Sequence, residues 1–169
     1  MKSRRLIVVL LIAVAVLATD NSREPAPRFH AKTMSGETFD NASIKGKVVL
    51  LEFWATWCQY CRTEQPVVDA LQEEFAGKGL IVLAIDVGEA KKTVKKYLEA
   101  NPRPVRIVLT DDTNLAAMYQ ATQYPIYVVI DRDGYIAAQQ NGAAGERALR
   151  RLLRRAGLGA PEETATEQE

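Results

Sequence analysis

Two cysteines separated by two residues, Cys58 and Cys61, constrain this chain more than any other feature, and they are its only cysteines. Before them lies an apolar, β-branched run, residues 48–51, and after them residues 62–75 carry apolar side chains at helical spacing. This order places the thiols where a strand ends and a helix begins. A Cys-x-x-Cys pair there is typical of a redox site, because N–H groups at a helix N-terminus stabilise a thiolate.

Other uses of two cysteines are weighed against this interpretation. A structural zinc site needs four Cys or His ligands, whereas the chain has two cysteines and one histidine, His30. It cannot close such a site alone, and we expect no bound metal. A half-site for a metal shared with another molecule and a purely structural disulfide are the alternatives, although a disulfide closing so short a loop stabilises little. The redox interpretation needs no cofactor beyond the Cys58–Cys61 disulfide.

Length and composition indicate one globular domain with an extension at each end. The chain has 169 residues, of which 47% are hydrophobic and 25% charged. Its formal net charge of +1 argues against nucleic-acid binding, which calls for a strongly basic domain. We expect a monomer.

The N-terminus has the pattern of a secretion signal. A cationic start, residues 1–5, precedes an uninterrupted apolar run, residues 6–18. The run is shorter than the about 20 residues of a membrane span, and both a cleaved signal and an uncleaved anchor stay open. We expect a periplasmic or other extracytoplasmic protein, soluble or held at the inner membrane by residues 6–18. The predicted division is signal peptide or signal anchor 1–18, linker 19–27, domain 28–158 and disordered acidic tail 159–169.

The rest of the chain alternates strand and helix patterns. Strands are predicted at 48–53, 80–87, 105–109, 126–130 and 135–140, with a hairpin turn at 34–39 and helices at 62–75, 91–100, 113–119 and 146–156. Such alternation predicts an α/β fold with parallel central strands flanked by helices. Sites of parallel sheets lie at the carboxyl ends of the strands, where Cys58 follows its strand.

Four segments, in this order, resemble the thioredoxin superfamily, specifically its exported TlpA/ResA-like branch. They are GKVVL (46–50), FWATWC (53–58), CRTEQP (61–66), and YP (124–125) leading into VIDRDG (129–134). The resemblance covers roughly residues 25–157. It implies a thioredoxin-like fold with a mixed central sheet flanked by helices, an added N-terminal hairpin and a helix–strand insert at 91–109.

The resemblance also suggests roles for four side chains. Cys58 is expected to attack a client disulfide and Cys61 to resolve the mixed disulfide. Glu52 interrupts an apolar strand; burial would raise its pKa and suit it to take the Cys61 proton, and it matches the buried acid of thioredoxins. Glu64 matches a glutamate of the branch that tunes cysteine acidity or holds the groove. The alternatives are that Glu52 is solvated at an edge and that Glu64 is a solvated first-turn carboxylate.

The expected substrate groove consists of Trp57, Gln59, Tyr60, Tyr124 and Pro125. The resemblance implies that the bond before Pro125 is cis and that its loop faces the disulfide. Two positions depart from the family: Gln59-Tyr60 stands where Gly-Pro or another proline-containing pair is common, and Ile126 follows the proline where threonine is frequent.

The function expected from the resemblance is an exported thiol–disulfide oxidoreductase. It would exchange its disulfide with cysteines of client proteins, for example in cytochrome c maturation, and receive electrons from an upstream thiol reductant. Gln59-Tyr60 supplies no cation, and Glu52 and Glu64 add negative charge, so we expect a reducing couple, nearer about −270 mV than about −120 mV. The alternatives are a non-catalytic protein that binds clients or Cu(I) through two soft thiolates, and a thiol peroxidase. No proline matches the peroxidase motif Pro-x-x-x-Thr-x-x-Cys.

Overall fold

The structure is a computed structural model that describes residues 23–159. The predicted signal 1–18 and all but the first residue of the predicted acidic tail lie outside the described residues. The strands are β1 (His30–Thr33), β2 (Thr38–Asp40), β3 (Val48–Trp54), β4 (Leu80–Asp86), β5 (Arg106–Thr113), β6 (Ile126–Ile130) and β7 (Ile136–Asn141). The helices are α1 (Gln59–Phe75), α2 (Lys91–Ala100), α3 (Leu115–Met118) and α4 (Gly145–Arg155), with a 3₁₀ turn at Ala76–Lys78.

The strands form one mixed sheet in the order β2-β1-β5-β4-β3-β6-β7. The central strands β5, β4 and β3 are parallel, whereas β6 runs antiparallel to β3. All seven residues of β3 are buried, which explains its nearly continuous apolar sequence. The predicted mixed sheet, the N-terminal hairpin β1–β2 and the helix–strand insert α2–β5 are confirmed.

Helices cover both faces of the sheet. Along β3, Val48, Leu50 and Trp54 face the core shared with α1, α2 and α4, while alternate residues face the core shared with α3 and the N-terminal segment. This alternation follows from the two-residue period of a strand. Glu52 alternates in step with Val48, Leu50 and Trp54, so its side chain points to the same side of the sheet and faces α1.

Two predicted boundaries are corrected. The predicted division places residues 19–27 in a linker, whereas Pro25 bridges Tyr135 and the Ala26 amide donates to the Gly134 carbonyl at 2.9 Å. The ordered domain thus begins at least as early as residue 23, because this segment pairs with the turn between β6 and β7. Strand β5 continues past residue 109 to Thr113, where it pairs with β1. Among residues 23–159, no helix combines the length and apolar character needed to cross a bilayer.

Candidate functional site

The carboxyl ends of β3 and β4 meet at one edge of the sheet, because the two strands are parallel and Trp54 lies opposite Asp86. Strand β6 begins at the same edge, since it is antiparallel to β3 and Ile126 pairs with Phe53. The loop before α1 and the loop before β6 are therefore brought together, as the sequence predicted for the Cys-x-x-Cys segment.

The two cysteines form a disulfide at the start of α1, with the sulfur atoms 2.07 Å apart. Cys58 is the N-cap residue, and its sulfur accepts a hydrogen bond from the Cys61 amide at 3.2 Å. Cys58 keeps 6% of its surface exposed, whereas Cys61 is fully buried. In the reduced protein the same amide and the free N–H groups of the first turn would stabilise a thiolate on Cys58, the sulfur that a client reaches first.

Aromatic side chains flank the disulfide. Trp57 and Tyr60 are the large apolar side chains most exposed among the described residues, at 66% and 69%. Trp57 packs edge-on against Tyr124, with ring centroids 6.0 Å apart, and the Tyr124–Pro125 bond is cis, as the resemblance implied. Trp57 and Tyr60 thus present exposed apolar surface beside the cysteines, and Trp57 joins them to the loop of Tyr124 and Pro125.

Glu52 is fully buried, and the alternative of a solvated edge position is wrong. Its Oε2 accepts a hydrogen bond from Arg103 Nη2 at 2.9 Å, and Arg103 also binds Asp69 of α1 at 2.8 Å. Burial raises the pKa of Glu52, while the Arg103 charge opposes that rise. Oε1 accepts no hydrogen bond from the described residues, so one oxygen of this buried carboxylate is free to take up a proton.

Arg103 is a site residue that the sequence analysis missed. It lies between Pro102 and Pro104 in the connection from α2 to β5, its side chain is 2% exposed, and its guanidinium sits over the Trp54 ring, 5.4 Å from the centroid. A carboxylate in a buried strand requires a cationic partner. That requirement indicated that an arginine or lysine pairs with Glu52, but the sequence does not show which of the 22 in the chain it is. A cleft of about 570 Å³ runs beside Arg103 and Asp69 and gives this ion-pair network an opening to solvent.

Glu64 is 5% exposed, so the alternative of a solvated first-turn carboxylate is also wrong. It accepts hydrogen bonds from Tyr127 Oη and from the Ala144 amide, both at 2.8 Å, and from the Gly145 amide. Burial raises the pKa of Tyr127, which remains a donor throughout the physiological range. Glu64 therefore ties α1 to β6 and to the start of α4.

A second acidic cluster, Asp86 and Glu89, was also missed. The Glu89 carboxylate accepts hydrogen bonds from the amide and the hydroxyl of Thr56, both at 2.6 Å. Burial and the neighbouring Glu89 raise the pKa of Asp86 to about 8. The sequence signal was a carboxylate ending an otherwise apolar strand. Among residues 23–159 no group of three or more His, Cys, Asp or Glu side chains is arranged to hold a metal ion.

Comparisons with known proteins agree with this geometry. Residues 23–139 match the model of the AhpC/TSA family. Thioredoxin-like protein YneN of Bacillus subtilis (strain 168) is 36% identical over 132 residues, 77% of each chain. Thiol-disulfide oxidoreductase ResA of Geobacillus kaustophilus is 30% identical over 141 residues, 83% of this chain and 78% of that protein. A crystal structure of a thiol:disulfide interchange protein of the thioredoxin family from Chlorobium tepidum TLS superposes with a TM-score of 0.69 at 28% identity, covering 79% of this chain and 96% of that one.

Proposed function

The chain belongs to the AhpC/TSA family and is a thioredoxin-like thiol–disulfide oxidoreductase; from this premise we propose that it works outside the cytoplasm and reduces disulfides of client proteins. The observation that supports the proposal most is the Cys58–Cys61 disulfide at the start of α1, between exposed aromatic side chains and in front of a buried carboxylate.

In the reduced protein the Cys58 thiolate attacks a client disulfide. A Cys58–client disulfide forms and one client thiolate leaves. Cys61 then transfers its proton to Glu52 and attacks the Cys58 sulfur, which releases the second client thiolate and closes the Cys58–Cys61 disulfide. Two electrons pass to the client, and an upstream thiol reductant restores the dithiol. Glu52 suits the proton transfer because it faces α1, which carries Cys61, and retains a free oxygen.

The structure changes the electrostatic argument for a reducing couple. Arg103 pairs with Glu52, and three hydrogen-bond donors disperse the charge of Glu64, so both carboxylates repel the Cys58 thiolate less than bare charges would. What supports a reductant is the pair between the cysteines: Gln59 and Tyr60 provide no cation that would stabilise the thiolate as in a strong oxidant.

Export and clients complete the proposal. Residues 1–18 have the composition of a secretion signal or anchor, and in an oxidising compartment a dithiol must be kept reduced by a partner. Clients are proteins with oxidised cysteine pairs, such as an apocytochrome c before haem attachment or a metal-delivery protein. The protein acts as a monomer and needs no cofactor beyond its disulfide.

Turnover of a protein disulfide tests the proposal. The purified protein, supplied with excess thiol, is expected to reduce insulin; Cys58→Ser abolishes the reaction, and Cys61→Ser accumulates a mixed disulfide. Undiminished turnover by Cys58→Ser contradicts the proposal. Consumption of peroxide faster than insulin under the same conditions would indicate a peroxidase. Stoichiometric Cu(I) binding without turnover would indicate a binding protein.

A further inference from the structure

The loop that carries Trp57 and Cys58 is held from the side by an acidic group. Thr56, two residues before Cys58, donates its amide to Glu89 Oε2 and its hydroxyl to Glu89 Oε1, both at 2.6 Å. A two-point, charge-assisted contact of this kind fixes direction as well as distance. It reaches the segment between β3 and α1 from the loop that follows β4.

The loop that carries Glu89 is itself anchored. The Thr110 hydroxyl of β5 donates to the Asp86 carbonyl at 2.7 Å and accepts from the Gly88 amide at 3.0 Å. The Glu89 amide donates to Asp86 Oδ1 at 3.3 Å. The loop that carries Glu89 is thus fixed to the sheet, and Glu89 holds Thr56 in place.

The Asp86 carboxyl is close to that of Glu89: its Oδ1 accepts the Glu89 amide, and its buried Oδ2 accepts no hydrogen bond from the described residues. Asp86 is fully buried, and two carboxyl groups this close together cannot both be ionised without strong repulsion. The proton belongs on Asp86, because Glu89 uses its oxygens as acceptors for Thr56. Burial and Glu89 raise the pKa of Asp86 to about 8; burial also disfavours charge on Glu89, but hydrogen bonds from Asp86 and Thr56 outweigh it and lower the pKa of Glu89.

Groups from neighbouring elements also face this pair. From the loop before β6, Tyr124 is close enough for the Asp86 charge, together with burial, to raise the pKa of Tyr124. From α2, Lys92 and Lys96 line the cleft of about 520 Å³ that Thr56 borders. The neighbours from β3 and β5, Trp54 and Thr110, do not titrate.

We infer that Glu89 is a positioning residue for the redox loop, and that its hold on Thr56 persists only while the neighbouring, buried Asp86 keeps its proton. When Asp86 ionises, repulsion separates the two carboxylates and Glu89 moves away from Thr56. Trp57 and Cys58 then lose their fixed orientation toward Tyr124. This inference rests on the proposed function for its catalytic consequence, but the contact itself is tested without a client.

The test is an NMR titration of the full-length protein from pH 6 to 9.5, following the Thr56 amide signal and its exchange with water. We expect one step near pH 8 in which the signal moves and its exchange accelerates. Asp86→Asn has nearly the same shape but cannot ionise, so the step disappears and the amide stays protected at high pH. Glu89→Gln weakens the contact at every pH. Glu99→Gln, an exposed carboxylate on α2, is the control and titrates as the wild type.

Client reduction supplies the catalytic readout. At pH 7 Glu89→Gln is expected to reduce insulin about tenfold more slowly, the factor for losing one hydrogen bond to a charged group, while alkylation of Cys58 by iodoacetamide changes less than about twofold. A Thr56 amide without a step, or a step that persists in Asp86→Asn, overturns the inference. Should Glu89→Gln not fold, the Asp86→Asn titration decides alone. Absence of insulin reduction in the wild type counts against the proposed function and leaves the amide titration valid.

Discussion

Replacing Arg103 with methionine tests the buried ion-pair network most severely. Arg103 and Glu52 expose 2% and 0% of their side chains, so the substitution leaves a buried carboxylate without a cation. Removing one partner of a buried pair costs about 3–5 kcal/mol. Methionine retains most of the packing against Trp54 but loses the cation–π contact, which contributes about 0.5–2 kcal/mol. We expect a total loss of about 3.5–7 kcal/mol in the free energy of unfolding at pH 8.

The loss depends on pH in a direction that the structure defines. Burial raises the pKa of Glu52, and without Arg103 nothing of comparable strength opposes that rise. Between its unfolded and folded pKa values the carboxyl is then protonated in the native state and ionised in the unfolded state, so stability falls as pH rises. Protonation at pH 5 neutralises the orphaned carboxylate. The difference from wild type is therefore smaller at pH 5 than at pH 8.

Urea denaturation of the oxidised proteins at both pH values measures the effect. The double variant Glu52→Gln with Arg103→Met removes both charges and is expected to recover most of the loss. Arg150→Met is the control, because Arg150 makes its ion pairs at the surface and such pairs contribute about 0–1 kcal/mol. A loss below about 1 kcal/mol for Arg103→Met at pH 8, or one of equal size at pH 5, would refute this reasoning.

Three further substitutions separate stability, docking and proton transfer. Glu64→Gln leaves one acceptor oxygen where the carboxylate has two, and we expect the free energy of unfolding, measured by urea denaturation, to fall by about 1–3 kcal/mol. An unchanged midpoint would contradict the role of Glu64 in holding α4. Trp57→Ala removes exposed aromatic surface, and insulin reduction is expected to slow at least fivefold while reduction of a small aromatic disulfide changes less than twofold; equal slowing of both would contradict a docking role. Glu52→Gln removes the proton acceptor for Cys61, so quenched reactions at pH 7 should contain at least tenfold more mixed disulfide than the wild type, and wild-type amounts would show that another group accepts the proton.

The sequence predicted the parts of the site that local patterns determine. Cys58 caps α1 because a buried strand, a short loop and a helix follow one another within residues 48–75, and each has its own periodicity. The parallel pairing of β3 with β4 follows from the helix between them. The position of Cys58 at the carboxyl end of β3 was thus accessible without coordinates.

Contacts between residues far apart in the chain could not be predicted from the sequence. Arg103 and Glu52 are 51 positions apart, and Glu89 and Thr56 are 33 apart. The sequence shows that a buried carboxylate needs a donor, but only the fold selects which side chain supplies it. The contacts of residues 25 and 26 with the domain could not be predicted for a similar reason. These residues pair through backbone groups with the turn after β6, and such pairing leaves no apolar pattern in residues 23–27.

The reduction potential of the Cys58–Cys61 couple bears most directly on the proposed role as a reductant. The protein is equilibrated in thiol–disulfide buffers of known potential, and tryptophan fluorescence measures the fraction oxidised. Exposed Trp57 reports on the disulfide because it lies next to Cys58. We expect a value near that of thioredoxin, about −270 mV, because no cation lies between the cysteines to stabilise the Cys58 thiolate. A value above about −180 mV, the level of protein disulfide isomerase, would contradict the proposal and assign the protein to oxidation or isomerisation of its clients.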